Sequence, residues 1–223
     1  MVYNSKSLSF LLNLRLPRIP DEIPYPSWLG SRSKLLAAVP VLKMNQIPGW
    51  AGWAVTNRPE ARVLHIVRHP GGFLASWKAR YLIANDREAV TAANRERLET
   101  VLKSDPRWAE LWGDHTSMAV EESELWYWRY AAESIDAAGN SQANYRLVLY
   151  DELAARPAEL TKEIYSFCGL SWTHKQDRLI SALTRDSQDI ASAWQDKLSP
   201  GDRQLVSKVL DGSVLKSWWS NLT

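Results

Sequence analysis

Val63-Leu64-His65-Ile66-Val67-Arg68-His69-Pro70-Gly71-Gly72-Phe73-Leu74-Ala75-Ser76-Trp77 is the stretch whose reading decides the fold. Its first five residues, apolar and largely β-branched, read as a short buried strand. Arg68 then emerges at the carboxyl end of that strand. His69 stands before proline, which holds it extended. Gly71-Gly72 is expected to let the chain turn into a helix over 72–85, with Ser76 in its early turns. In open α/β sheets ligands sit at this edge, and the free N–H groups of a helix start favour anions. Arg68 brings a fixed fork of donors suited to phosphate, and the Ser76 hydroxyl can complete a cradle. The plainer alternative is an ordinary strand–turn–helix with a surface arginine.

Working outward, two further apolar runs read as strands. They are Ala38-Val39-Pro40-Val41-Leu42-Lys43 and Tyr145-Arg146-Leu147-Val148-Leu149-Tyr150. Helices are predicted over 87–104 and 121–138. In the latter Leu125, Trp128, Ala132 and Ile135 share one face, and Gly139 supplies a stop. Pro157 opens another helix, with Leu160, Ile164, Phe167 and Cys168 at helical spacing, and Ser199-Pro200 starts the next. Strands separated by helices imply an α/β class with a central parallel sheet flanked by helices. The strands at 39–43, 63–67 and 145–149 are expected to be neighbours, with Arg68 and Tyr150 on one edge.

The chain has 223 residues, long enough for a full core in a single domain over 1–223. With 45% apolar and 23% charged residues it is ordinary globular. Its single cysteine, Cys168, excludes an internal disulfide framework and a cysteine-rich zinc module. No metal site is suggested. The 12 tryptophans report thick aromatic packing before sugar-facing surface, although Trp50, Trp53, Trp126, Tyr127 and Trp128 are compatible with a sugar-lined cleft. Residues 1–68 carry nine Lys and Arg against three Asp and Glu, and eight of the 11 prolines fall in the first 70. Residues 1–38 therefore read as an irregular basic segment able to attract an anionic ligand. No nucleic-acid-binding pattern accompanies that charge. No run is long and apolar enough to cross a bilayer, so neither a membrane nor a nucleic acid is an expected partner.

The string R-H-P-G-G-F-L-A-S resembles the 3′-phosphate motif of the sulfotransferases that use 3′-phosphoadenosine 5′-phosphosulfate, an arginine with a serine eight residues later beside a proline. Upstream, V-L-K-M-N resembles the strand ending in Lys-Thr-His of that family. Downstream, V-L-Y-D-E-L-A-A-R-P-A-E-L-T-K-E-I-Y-S-F-C-G-L resembles its strand, Tyr-Glu-Asp-Leu turn and following helix. W-Q-D-K-L-S-P resembles the segment after its last donor-binding loop. These pieces run in order over 39–200. The resemblance implies a nucleotide-kinase-like fold and sulfuryl transfer to a hydroxyl or amine of a carbohydrate or small-molecule acceptor, without a metal. Arg68 and Ser76 would hold the 3′-phosphate, and Tyr150 would lie by the adenine. Lys43 would sit near the transferring group.

Departures from the family pattern matter as much. A Pro-Lys-Ser-Gly-Thr-Thr-type loop should grip the 5′-phosphosulfate well before Lys43, and none is there. The nearest imitation, Leu29-Gly30-Ser31-Arg32-Ser33-Lys34, lacks a preceding apolar strand. The family's catalytic histidine falls on Asn45, which can orient an acceptor but cannot take its proton. His65, His69, His115, Glu121, Glu122 and Glu124 are the candidate replacements. The donor loop lands on Ser187-Gln188-Asp189, and only Trp194 of its sequel survives. The fold is thus expected to be N-terminally incomplete, and the localisation cytoplasmic, or Golgi-lumenal should an anchor precede Met1. Two other readings stay open. One is a non-catalytic nucleotide- or carbohydrate-binding relative; the other is an aromatic-rich interaction protein with no nucleotide site.

Overall fold

A computed structural model describes residues 39, 41–45, 48–82 and 86–219. The chain divides into two compact units, Met1–Lys43 and Met44–Thr223. The irregular basic segment expected over 1–38 lies outside the described residues. Of the first unit only residues 39 and 41–43 are described, and none is in a strand. Val39, Val41 and Leu42 are 61%, 88% and 56% exposed. The strand expected at 39–43 is therefore corrected. Apolar residues alone do not make a strand, and Pro40 in the middle of the run has no N–H for a ladder.

The second unit is mostly helical. Its first described elements are α1 (Pro48–Asn57), β1 (Val63–Val67) and α2 (Pro70–Trp77), followed by a π-helical turn over Lys78–Leu82. Next come α3 (Arg87–Ser104), α4 (Trp108–Trp112), α5 (Val120–Gly139) and β2 (Tyr145–Leu149). The remainder is α6 (Tyr150–Ala155), α7 (Pro157–Phe167), α8 (His174–Leu183), α9 (Ser187–Ser192), α10 (Trp194–Lys197), α11 (Pro200–Leu210) and a 3₁₀ turn over Val214–Trp219. Among the described residues the sheet is one parallel pair, β1 on β2, in register from Val63↔Tyr145 to Val67↔Leu149. The described residues thus fall loosely in the α/β class, with two of the three expected strands paired.

Local signals explain the helix ends. Asp86 accepts from the Glu88 N–H at the start of α3, 3.0 Å. Ser199 and Asp202 cap α11 reciprocally, each accepting the other's backbone N–H at 3.1 Å. The helix predicted over 72–85 begins instead at Pro70, whose missing N–H is harmless at a first position. Its α-helical part ends at Trp77.

α5 is the centre of the unit. One apolar face was expected, yet Ser123 through Arg129 are all buried. One side of α5 packs with Leu74, Leu98, Trp108, Trp112 and Val209, drawn from α2, α3, α4 and α11. The other side, through Trp128 and Ala132, meets Val67, Leu149, Leu215 and Trp219. Trp77, Trp108, Trp112, Trp126, Trp128 and Trp219 are buried, so tryptophan here is chiefly packing material. Trp50 and Trp53 are exposed, whereas Trp126 and Trp128 are buried and Tyr127 lines a shallow pocket with Arg97 and Tyr130. Among the described residues no helix is long and apolar enough to cross a membrane.

Candidate functional site

The site begins where both strands end. Because β1 and β2 run parallel and in register, Arg68 and Tyr150 leave the sheet at the same edge. The Arg68 guanidinium lies over the Tyr150 ring, 5.2 Å from its centroid. Arg68 Nη2 donates to the Ile190 carbonyl at 3.4 Å, a long contact. Its Nε is buried and has no hydrogen-bond partner. A buried donor left unmatched costs roughly 1–3 kcal/mol.

His69 organises the turn. Its backbone N–H donates to Asp151 Oδ2 at 3.0 Å, tying the end of β1 to the start of α6. Its Nδ1 accepts from the Gly71 N–H at 3.0 Å, an N-cap on α2 supplied by an imidazole. The ring stacks on Trp194, with centroids 4.3 Å apart and planes 13° apart, and meets Trp219 edge-on at 5.3 Å. Burial pushes His69 down to about 4, only partly countered by the Asp151 carboxylate. The imidazole is therefore neutral at pH 7, with Nδ1 as acceptor.

The two glycines serve close approach, not the turn itself. Neither takes a positive φ. A β-carbon on Gly71 would overlap the six-membered ring of Trp194, and one on Gly72 would lie 2.7 Å from Arg68 Nε. Gly→Ala inside a helix ordinarily gains roughly 0.5–1 kcal/mol. Gly71→Ala is expected to reverse that sign and cost about 1–3 kcal/mol, because the indole must leave its stack. A thermal melt equal to or above wild type would mean that Trp194 does not sit there.

Ser76 is exposed on α2, one turn beyond Gly72. Residues four apart share a helix face, so Ser76 lies on the face that Arg68 crosses. The structure thus brings Arg68 and Tyr150 to one edge, with Ser76 on the helix that follows. Lys43, in the first unit, and Asn45 are both exposed and outside any helix or strand.

The candidate bases in the described region are largely committed elsewhere. His65 is buried mid-strand with Nδ1 2.8 Å from the Tyr145 hydroxyl, which donates to Asp136 Oδ1 at 3.1 Å. Burial lowers His65 to about 4 and raises Tyr145, the latter helped by Asp136. Glu121 pairs with Arg87, Glu122 with Lys208, and Glu124 with Arg97. His115 sits in the turn after α4, its Nε2 buried without a hydrogen-bond partner.

Sequence reasoning missed Asp151, the Ile190 carbonyl and the role of Trp194. The signal for Asp151 was the polar residue following Tyr150. Ile190 gave none, since a backbone carbonyl acts there. Comparison with models of protein families, with curated proteins and with solved structures finds no match to this chain.

Proposed function

We propose that this edge binds a 3′-phosphorylated adenine nucleotide, and that the protein is a sulfotransferase using 3′-phosphoadenosine 5′-phosphosulfate. The observation that carries the reading is Arg68: a buried, unmatched Nε donor on the Ser76 face of α2, its guanidinium resting on Tyr150. A phosphate oxygen at that point would satisfy the orphaned donor. Tyr150 would offer its ring to the base. The sulfuryl group would pass in line to a hydroxyl or amine of a carbohydrate or small-molecule acceptor, with 3′-phosphoadenosine 5′-phosphate leaving. Lys43 would neutralise charge on the leaving phosphate and Asn45 would orient the acceptor. The fold would then be a nucleotide-kinase-like sulfotransferase fold.

A second reading is a nucleotide-binding relative without turnover. The exposed, unstructured positions of Lys43 and Asn45 favour it, as does the engagement of His65, His69 and the Glu121, Glu122 and Glu124 carboxylates. Both readings share one expected result. 3′-Phosphoadenosine 5′-phosphate should raise the melting temperature more than 5′-AMP at equal concentration, since it binds the folded state through an extra phosphate. Arg68→Ala should erase the difference. Equal shifts from the two nucleotides, unchanged in Arg68→Ala, would dismiss the nucleotide site. A sulfuryl-transfer assay over a broad acceptor panel then separates enzyme from binder, turnover lost in Arg68→Ala marking the enzyme.

A further inference from the structure

Trp194 reaches the same point as Arg68. The position of a β-carbon on Gly72 lies 2.7 Å from Arg68 Nε and 3.2 Å from Trp194 Cδ1. The six-membered ring of Trp194 covers Gly71, and Cδ1 of its pyrrole ring, the atom bonded to the N–H nitrogen, lies over Gly72 beside Arg68. Its orientation is fixed by the stack on His69, itself held by the Gly71 N–H and by Asp151. Arg68 Nε, which is unmatched, and the pyrrole edge of Trp194 therefore come together over Gly72 from distant parts of the chain.

We propose that Trp194 is a phosphate-binding residue: its indole N–H and Arg68 Nε–H together grip the 3′-phosphate of the nucleotide. The inference rests on the nucleotide reading and adds the third donor of the cradle beside Arg68 and Ser76. No cation of the 187–189 stretch is available for that role, because its residues are Ser187, Gln188 and Asp189. An indole N–H donates one hydrogen bond and carries no charge, so it adds geometric selection for a phosphate oxygen while Arg68 supplies the electrostatic attraction.

Titration calorimetry with 3′-phosphoadenosine 5′-phosphate and, in parallel, 5′-AMP tests this on the full chain. Trp194→Phe keeps an aromatic ring that can stack on His69 and removes the indole N–H together with the fused second ring. The variant should bind the bisphosphate roughly 10- to 100-fold more weakly, the weight of one hydrogen bond to a charged group, and bind 5′-AMP as wild type does. Bisphosphate binding unchanged in Trp194→Phe, or equal losses for both nucleotides, would overturn the proposal. In wild-type protein, one of the 12 indole N–H resonances should move downfield with the bisphosphate and stay in place with 5′-AMP. This measurement stands even if the variant does not fold, and the absence of any such resonance counts against the proposal. Wild-type protein that fails to distinguish the two nucleotides overturns the nucleotide reading itself, whereas loss of discrimination in Arg68→Ala but not in Trp194→Phe overturns the role of Trp194 alone.

Discussion

Arg129→Met is expected to remove about 3–5 kcal/mol of folding stability, a large part of what a domain of this size has. Arg129 is 3% exposed in the middle of α5. Its Nε donates to Glu133 Oε1 at 2.8 Å. Nη1 donates to the Val209 carbonyl at 2.9 Å and the Asp211 carbonyl at 3.0 Å. Those carbonyls close the C-terminal end of α11, where a helix leaves unpaired acceptors and carries partial negative charge. The guanidinium also lies 5.4 Å from the Trp126 ring centroid. Methionine would fill most of the volume but leave the carbonyls without a donor and Glu133 without its cation. Ser213 still donates to Glu133 at 2.6 Å, so Glu133→Gln should cost far less. Denaturant unfolding of the two variants checks the order. A loss below about 1 kcal/mol for Arg129→Met would mean that the pair is not buried in solution.

Acid should destabilise the fold well before its carboxylates titrate. His65 and His69 are both lowered from an ordinary 6.5 to about 4 by burial. In the unfolded chain each takes up a proton near 6.5, so the unfolded state binds more protons throughout the window from 6.5 down to 4. The stabilisation is complete above 6.5 and drains away as pH falls to 4. Two to two and a half units of pH in that window correspond to about 3 kcal/mol per imidazole. Asp202 follows at lower pH. Burial alone would raise its carboxyl, but Lys78 and Ser199 together hold it below its ordinary value, so its contribution is lost as pH falls beneath the usual carboxylate range. Unfolding free energies at pH 7 and 4.5 should differ by several kcal/mol. His69→Asn, which keeps an N-cap acceptor and cannot titrate, should flatten part of that slope. A flat profile between pH 7 and 5 would show both rings to be hydrated.

What the sequence disclosed follows from where its signals are local. The strands at 63–67 and 145–149, the helix over 87–104, the cap at Ser199 and the helix start at Pro157 were legible because periodicity and end chemistry are short-range. Arg68 and Tyr150 on one edge followed from a parallel pairing of those strands. The 39–43 run failed because strand formation needs a partner, which composition does not provide. Arg129 was invisible for the opposite reason: a charged residue within a helix reads as solvent-facing until the carbonyls that receive it are in place. Trp194 stood in the sequence only as a surviving letter of a resemblance. Its contact with Gly71 and Gly72 spans more than a hundred residues, and no periodicity reports that distance.

The pairing of β1 with β2 also sets when the molecule can become itself. His65 and Tyr145 stand 80 residues apart, and no β-hairpin can join parallel neighbours. Closing so long an interval has an entropic cost that is met only after α2, α3 and α5 offer surfaces to pack on. On a ribosome the first strand would emerge with its partner still unmade. The Arg68 edge would remain unassembled until the chain past Tyr150 had followed, and incomplete until Trp194 arrived. Nascent chains halted before residue 145 should therefore display β1 as an unpaired apolar segment, a natural client for chaperones that recognise such stretches.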